Sequence, residues 1–212
     1  MSKISLFDTF KMTNQLTGKA KRQRKIIEII WTTQNFKQRT KVEIAKKISI
    51  EAKQSWKNIY SGVYDDIEKN LLPQRIIEMD GKIPVKRGPR LLQNEGTGYY
   101  RLTNTGILLL FCIGHTKVEI DFIKFTHQRD LGERLNGLYQ ISPSLCFLLL
   151  EKYVSVRCIK GENIVPITLE GISETTKFTL KCDVEFIKSM LSCSKDDQRK
   201  ILMILSDIEH KH

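Results

Sequence analysis

The sequence predicts an α+β fold that is mostly helical, and two patterns lead to this prediction. Within residues 22–113, three segments with helical spacing of apolar residues precede two short segments rich in β-branched or aromatic residues. The second half then returns to helical patterns, with proline following a capping serine at Ser142-Pro143. We therefore expect a basic module with a small sheet, followed by a mainly helical half.

The net charge of +11 lies entirely in the first half of the chain. Residues 1–106 hold 21 Lys and Arg against 10 Asp and Glu, whereas residues 107–212 hold 14 of each. A basic field confined to one module indicates a polyanionic partner for that module. The alternative is that lysine only keeps the domain soluble, but solubility alone does not require such asymmetry.

The first two helices are predicted from apolar spacing and from a capping signal. Ile26 and Ile30 mark the core-facing side of a helix over residues 23–34. Thr40 and Glu43 fit the S/T-x-x-E capping box, in which each side chain satisfies a backbone N–H at the start of a helix. The sequence therefore predicts that a second helix begins at Thr40.

The third helix is predicted over residues 51–70, after a turn at residues 49–51. Its apolar stripe recurs at helical spacing and consists of Trp56, Ile59, Tyr60, Val63 and Ile67. The opposite side carries hydrogen-bonding groups and one cation, namely Gln54, Ser55, Lys57, Asn58 and Ser61. Such a face is suited to contacts with a polar ligand.

Two strands are predicted over residues 75–79 and 99–102, with a turn at Asp80-Gly81. The loop over residues 81–98 is long and basic, and its cations are Lys82, Lys86, Arg87 and Arg90. An apolar helix over residues 107–113 follows, stopped by Gly114. Beyond it, the patterns predict a helix over 131–139, a helix opening at Ser142, a strand or loop over 154–168, a helix over 183–191, a cap at Ser194 and Asp197, and a terminal helix over 201–208.

The order helix–helix–helix–strand–loop–strand resembles a winged helix-turn-helix domain over about residues 22–113. The segment Tyr100-Arg-Leu-Thr-Asn-Thr-Gly106 is similar to the Y-x-L-T-x-x-G ending of many bacterial and archaeal transcription regulators. Two features depart from the family pattern, because the turn at residues 49–51 has no glycine and the basic loop is longer than usual.

The resemblance implies a DNA-binding transcription regulator. Helix 51–70 would enter the major groove with Gln54, Ser55, Lys57, Asn58 and Ser61 toward the bases, since Asn and Gln pair with adenine and Lys reaches guanine or phosphate. The basic loop would be the wing, contacting phosphate or the minor groove. Three cations of the second helix would contact the flanking phosphate backbone of the DNA: Lys41, Lys46 and Lys47.

The domain organisation that we expect has three parts. Residues 1–21 form a basic arm that is partly disordered, residues 22–114 form the winged helix, and residues 115–212 form a mainly helical domain for dimerisation or sensing. The expected partners are duplex DNA and a second copy of the chain. A small-molecule effector stays open, although no residue pattern indicates one. Two alternatives stay open: a non-catalytic winged-helix subunit that binds proteins of the transcription or replication machinery, and an RNA-binding regulator.

Signals for catalysis are poor, and we expect no enzyme activity, cofactor or metal. The five cysteines form no C-x-x-C pair, so free and mostly buried thiols are expected. Cys112 and His115 have helical spacing but lack a second pair of ligands, which argues against a zinc site. The chain shows neither a signal-peptide pattern nor an apolar run long enough for a bilayer, so we expect a cytoplasmic protein without membrane contact.

Overall fold

The fold is α+β and mostly helical, as the sequence predicts. The computed structural model describes residues 4–13, 15–84, 96–115, 117–175, 188 and 192–200. The chain divides into two compact units, residues 1–172 and 173–212. The elements of the first unit are α1 (Gly18–Thr32), α2 (Lys41–Ala52), α3 (Trp56–Asp65), β1 (Ile77–Ile83), β2 (Thr97–Leu102), α4 (Asn104–Cys112), α5 (Arg129–Ile141) and α6 (Pro143–Lys160). Residues 169–175 and, in the second unit, residues 195–200 are also helical.

Helix α1 begins five residues before the predicted start. The Thr17 hydroxyl accepts the N–H of Ala20 at 3.2 Å and so caps the helix. The basic cluster at residues 19–25 therefore lies on the first turns of α1. Ile26 and Ile30 are buried, as predicted from their spacing, but the neighbouring Trp31 is 44% exposed.

The N-terminal segment differs from the basic arm that we expected over residues 1–21. Ile4, Leu6 and Phe7 are buried in the core of the first unit. Arg24 of α1 donates to the Leu6 carbonyl at 2.7 Å and lies over the Phe7 ring. Burial of these apolar side chains stabilises the segment against α1, which a count of its polar residues does not reveal.

Helix α2 begins as predicted but ends later. Thr40 caps it, since its hydroxyl accepts the Glu43 N–H at 3.4 Å. The helix continues to Ala52, and Lys53 ends it in the left-handed conformation at φ 51°. The predicted turn at residues 49–51 was therefore wrong: the turn is Lys53-Gln54-Ser55, and α3 begins at Trp56 rather than at residue 51.

A buried polar network joins α1 to the end of α3. Asp66 begins a π-helical turn, Asp66–Leu71, and its carboxylate is 1% exposed. It accepts from Arg22 Nε at 2.6 Å and from Gln23 Nε2 at 2.9 Å. Gln23 in turn accepts the backbone N–H of Ser5 at 2.9 Å. The network thus connects the N-terminal segment, α1 and α3 with each buried polar group satisfied.

The two strands pair as an antiparallel hairpin, with Ile77 opposite Leu102. The predicted turn at Asp80-Gly81 was wrong, because both residues lie inside β1 at a bulge between Met79 and Gly81. A Cβ at Gly81 would lie 2.5 Å from the hydroxyl oxygen of Tyr99, so the glycine lets the Tyr99 ring cross the strand closely. A further bridge pairs Tyr99 with Thr40, the cap of α2.

The segment from Tyr100 to Gly106 closes the hairpin against the core. Tyr100 is 1% exposed, and the Thr103 hydroxyl caps α4 by accepting the Gly106 N–H at 3.2 Å. A Cβ at Gly106 would clash with the Ile76 carbonyl oxygen, which only glycine avoids. The residues that resemble the Y-x-L-T-x-x-G ending therefore have structural roles.

The helices after β2 extend the same hydrophobic core. Ser142 caps α6 as predicted, accepting the Leu145 N–H at 3.3 Å. The strand or loop predicted from residue 154 was wrong up to Lys160, because α6 continues until Gly161 ends it in the left-handed conformation. Val154 and Cys158 are buried there, so tertiary burial overrides the β-branched composition. The domain boundary expected after Gly114 lies inside the first compact unit.

The end of the chain is described only in part. The predicted cap at Ser194 is present, with its hydroxyl accepting the Asp197 N–H at 3.2 Å. The helix predicted over residues 201–208 and most of the helix over 183–191 lie outside the described residues. Among the helices that are described, none combines the length and apolar character needed to cross a membrane.

We expect Asp66→Ala to lower the free energy of unfolding by about 3 kcal/mol, because Arg22 and Gln23 lose their shared acceptor. Urea denaturation followed by circular dichroism measures this. Asp65→Ala is the matched control, since Asp65 is half-exposed and forms an exposed ion pair with Lys69, four residues along the chain; it should change stability little. Equal losses in the two variants would contradict the role of the network.

Candidate nucleic-acid interface

The polar residues predicted on the third helix are divided between a turn and a helix. Gln54 lies in the turn, Ser55 precedes α3, and the other three lie on α3 itself. All five are exposed, and within the described residues none of their side chains has a hydrogen bond or ion pair: Gln54, Ser55, Lys57, Asn58 and Ser61. Their donors and acceptors are therefore free to meet a ligand.

The three predicted lysines of α2 have partners within the chain. Lys41 is bound to Glu68 at 2.5 Å, and its ammonium lies 4.5 Å from the centroid of the Tyr64 ring. Burial lowers the pKa of Lys41, but the hydrogen bonds and charge interactions with Glu68 and Tyr100 together outweigh burial, so the pKa is raised. Lys46 pairs with Glu43 at 2.6 Å, and Lys47 donates to the Thr33 hydroxyl at 2.8 Å. These lysines are less available to an external anion than the sequence suggests.

The hairpin places its first predicted cation at the far end of β1. Lys82 is exposed there, opposite Gly98, while Lys86, Arg87 and Arg90 lie outside the described residues. The arginine on β2 is engaged, because Arg101 binds Glu78 at 2.7 Å and Asp80 at 3.5 Å. Of the two hairpin cations just described, Lys82 and Arg101, only Lys82 has no hydrogen bond or ion pair within the described residues.

An open groove of about 620 Å³ lies between α1, the end of α2 and α3. Gln54, Asn58 and Ser61 line it on one side, so this side of α3 faces α1. Three cations of α1 line the other side, namely Lys21, Arg22 and Lys25. Arg22 is bound to Asp66 and Lys25 to Glu51 at 2.8 Å, whereas Lys21 is exposed. From the sequence, the basic cluster at residues 19–25 fits either the first turn of a helix or a flexible arm, and it lies on the first turns of α1.

An aromatic stripe on α3 was treated in the sequence as part of the core. The Trp56 and Tyr60 rings lie 6.1 Å apart edge to face, and Tyr60 and Tyr64 lie 6.4 Å apart. Trp56 and Tyr60 are half-buried, while Tyr64, which the apolar pattern did not include, is 43% exposed. The i, i+4, i+8 spacing is the signal that could have found this stripe.

The cysteines of the first unit are free thiols, as expected for Cys112, Cys146 and Cys158, and all three are buried. Burial raises the pKa of Cys146 and of Cys158 to about 12, and it also raises the pKa of Cys112 well above the ordinary value of a thiol. Thiols so reluctant to ionise are poor nucleophiles and poor metal ligands. Within residues 4–175, apart from the gaps given above, no three His, Cys, Asp or Glu side chains are grouped to hold a metal ion.

No protein-family model, curated protein or solved structure matches this chain significantly.

The contrast between engaged and free lysines leads to a test of stability. Lys41→Met should lower the free energy of unfolding by about 1 kcal/mol, because Glu68 and the Tyr64 ring lose their cation. Lys57→Met, at an exposed lysine without a partner, should leave stability unchanged. Thermal and urea unfolding of both variants measure this, and a larger loss for Lys57→Met would contradict the assignment.

Proposed function

We propose that this protein is a DNA-binding transcription regulator. In this proposal residues 18–112 act as a winged helix-turn-helix domain, with α3 in the major groove and the β1–β2 hairpin on the phosphate backbone or minor groove. Action in the cytoplasm as a homodimer, joined through the second half of the chain, belongs to the same proposal.

The observation that carries the proposal is the pattern of charge pairing. Eight of the ten acids in residues 1–106 are bound to cations of the chain: Glu28, Glu43, Glu51, Asp65, Asp66, Glu68, Glu78 and Asp80. The exposed lysines without a partner among the described residues include Lys21, Lys37, Lys53, Lys57 and Lys82. The internal acids are therefore neutralised, and the excess positive charge is left for an external polyanion.

The positions of these lysines support a DNA surface. Lys53 and Lys57 flank the unpaired polar groups at the start of α3. Lys37 lies in the turn before α2, where its neighbour Phe36 contacts Tyr99 of the hairpin at 5.0 Å between ring centroids. Lys82 lies further along that hairpin. A helix with hydrogen-bonding side chains flanked by cations suits a groove about 12 Å wide between two phosphate chains.

The element order also supports a winged helix. A single isolated bridge joins Thr40, between α1 and α2, to Tyr99 of the two-stranded hairpin. The order along the chain is then helix, bridge residue, helix, turn, helix and hairpin. The turn at Lys53-Gln54-Ser55 separates α2 from α3, and α3 spans ten residues rather than the predicted twenty. In this order α3 corresponds to the second helix of a helix-turn-helix pair.

The first experiment is fluorescence-anisotropy binding to random duplex DNA at several salt concentrations. We expect affinity that falls steeply with salt, because bound phosphates release counterions. A variant with Lys82, Lys86, Arg87 and Arg90 changed to Gln should bind every sequence more weakly and with a smaller salt slope. No binding at low salt would contradict the proposal, and stronger binding to structured RNA in competition would favour the RNA-binding alternative.

A site selected from random DNA then tests the face of α3. Lys57→Ala combined with Asn58→Ala should reduce affinity for that site by about tenfold or more, since a good base contact discriminates by about 1–3 kcal/mol. Lys124→Ala, at an exposed lysine of the second half, is the control for loss of one charge. Unchanged affinity of the double variant would contradict the assigned face.

The second candidate function is a non-catalytic assembly subunit that binds protein. The observation favouring it is the exposed side of α6, where Leu145, Leu148 and Ile159 are 55%, 61% and 52% exposed. Clustered exposed apolar residues mark protein contacts more often than single ones. This candidate predicts no salt-dependent duplex affinity, so the first experiment separates it from DNA binding.

A further inference from the structure

We propose that Tyr64 is a specificity-determining residue that contacts the 5-methyl group of a thymine in the DNA site. This inference rests on the proposed function, because it concerns what α3 reads in the major groove. It extends the reading face to a residue outside the polar set predicted from the sequence.

The outward direction of α3 follows from what surrounds it. Val63 and Ile67 are fully buried and fix the inner side of the helix and its π-helical extension. Asn58 lines the groove that faces α1. The side pointing away from both the core and α1 carries Lys57 and Tyr64, which are spaced i, i+7 and are both exposed, while Ser61 lies between that side and the groove. The face that α3 presents to a ligand is therefore rotated from the predicted one toward Tyr64.

The Tyr64 ring is held in place by the protein itself. Lys41 lies over it at 4.5 Å from the centroid, and Glu68 fixes that lysine. Tyr60 supports the ring from the preceding turn at 6.4 Å between centroids. An apolar ring that is fixed before binding loses little side-chain freedom on contact with a ligand. The Lys41–Glu68 pair also neutralises the Glu68 carboxylate, which lessens repulsion from DNA phosphates.

The chemistry of the major groove selects the contact. The edges of the base pairs present hydrogen-bonding groups there, and the methyl of thymine is the apolar one. The exposed ring of Tyr64 matches the methyl, while Lys57 and Ser61 match polar groups. Seven residues of helix span about 10 Å, so Lys57 and Tyr64 should contact base pairs about three steps apart.

The first part of the test changes the DNA and uses the wild-type protein, so an effect on protein folding cannot explain its result. Each thymine of the selected site is replaced in turn by deoxyuridine, which lacks the methyl and keeps every hydrogen-bonding group. We expect one replacement to weaken binding about fourfold, as for loss of one buried methyl. Tyr64→Ala should weaken binding to the thymine site at least as much and should bind the two DNAs equally, whereas Tyr64→Phe should still discriminate between them.

Three results would overturn the inference. Equal affinity of the wild-type protein for thymine and deoxyuridine at every position excludes a methyl contact. A Tyr64→Ala variant that keeps the discrimination assigns the methyl to another residue. Loss of affinity in Tyr64→Phe without any effect of deoxyuridine shows that the hydroxyl binds phosphate instead. Failure of the proposed function is distinct, because the wild-type protein would then show no salt-dependent affinity for any duplex.

Discussion

The buried carboxylate of Asp66 is the constraint on which the arrangement of the first three helices depends. It holds Arg22 and Gln23 of α1, and through Gln23 it holds the backbone of Ser5. A buried charge with fixed partners allows few alternative registers, whereas apolar side chains slide past each other at lower cost. The network therefore determines which side of α3 lies against α1 and which side is presented outward.

The hairpin is positioned by a second set of close contacts. Tyr99 bridges to Thr40, Tyr100 enters the core, and Gly106 lets α4 approach the Ile76 carbonyl. The residues that resemble a regulator's Y-x-L-T-x-x-G ending are thus the ones that fasten the hairpin beside the start of α2. In the proposed function this attachment fixes the base of the wing relative to α2, so the role of the motif is to support binding.

The features that the sequence predicts correctly are those that depend on hydrogen bonds between residues close together in the chain. Thr40, Ser142 and Ser194 were recognised as caps because a hydroxyl three residues before a free N–H is a short-range pattern. The turn after α2 was missed because its left-handed residue is a lysine, and the sequence gives no glycine to mark it. The Asp80-Gly81 pair predicts a turn, but it forms a bulge in β1 because Gly81 lies opposite Tyr99, eighteen residues away. Contacts between residues far apart in the chain produce no periodic pattern in the sequence from which they could be predicted.

The sequence proposes which residues form the candidate site, but it does not reveal which of their charges are paired within the protein. Lys41, Lys46, Lys47 and Lys57 look alike in the sequence, but only the structure reveals that the first three have partners. Pairing depends on acids such as Glu68, far along the chain from Lys41. For the same reason Asp66, one of two adjacent acids in the sequence, could not be distinguished from the exposed Asp65.

The turn between α2 and α3 gives a further physical reason to connect charge with function. A residue other than glycine in the left-handed conformation costs roughly 1 kcal/mol, and glycine is the usual residue where a helix ends this way. Lys53 occupies that position at φ 51° and is exposed without a partner among the described residues. Backbone stability alone favours glycine here, so a role for the exposed cation would offset this cost. A phosphate beside the start of α3 would supply that role, since Lys53 adjoins Gln54 and Ser55 on the proposed DNA surface.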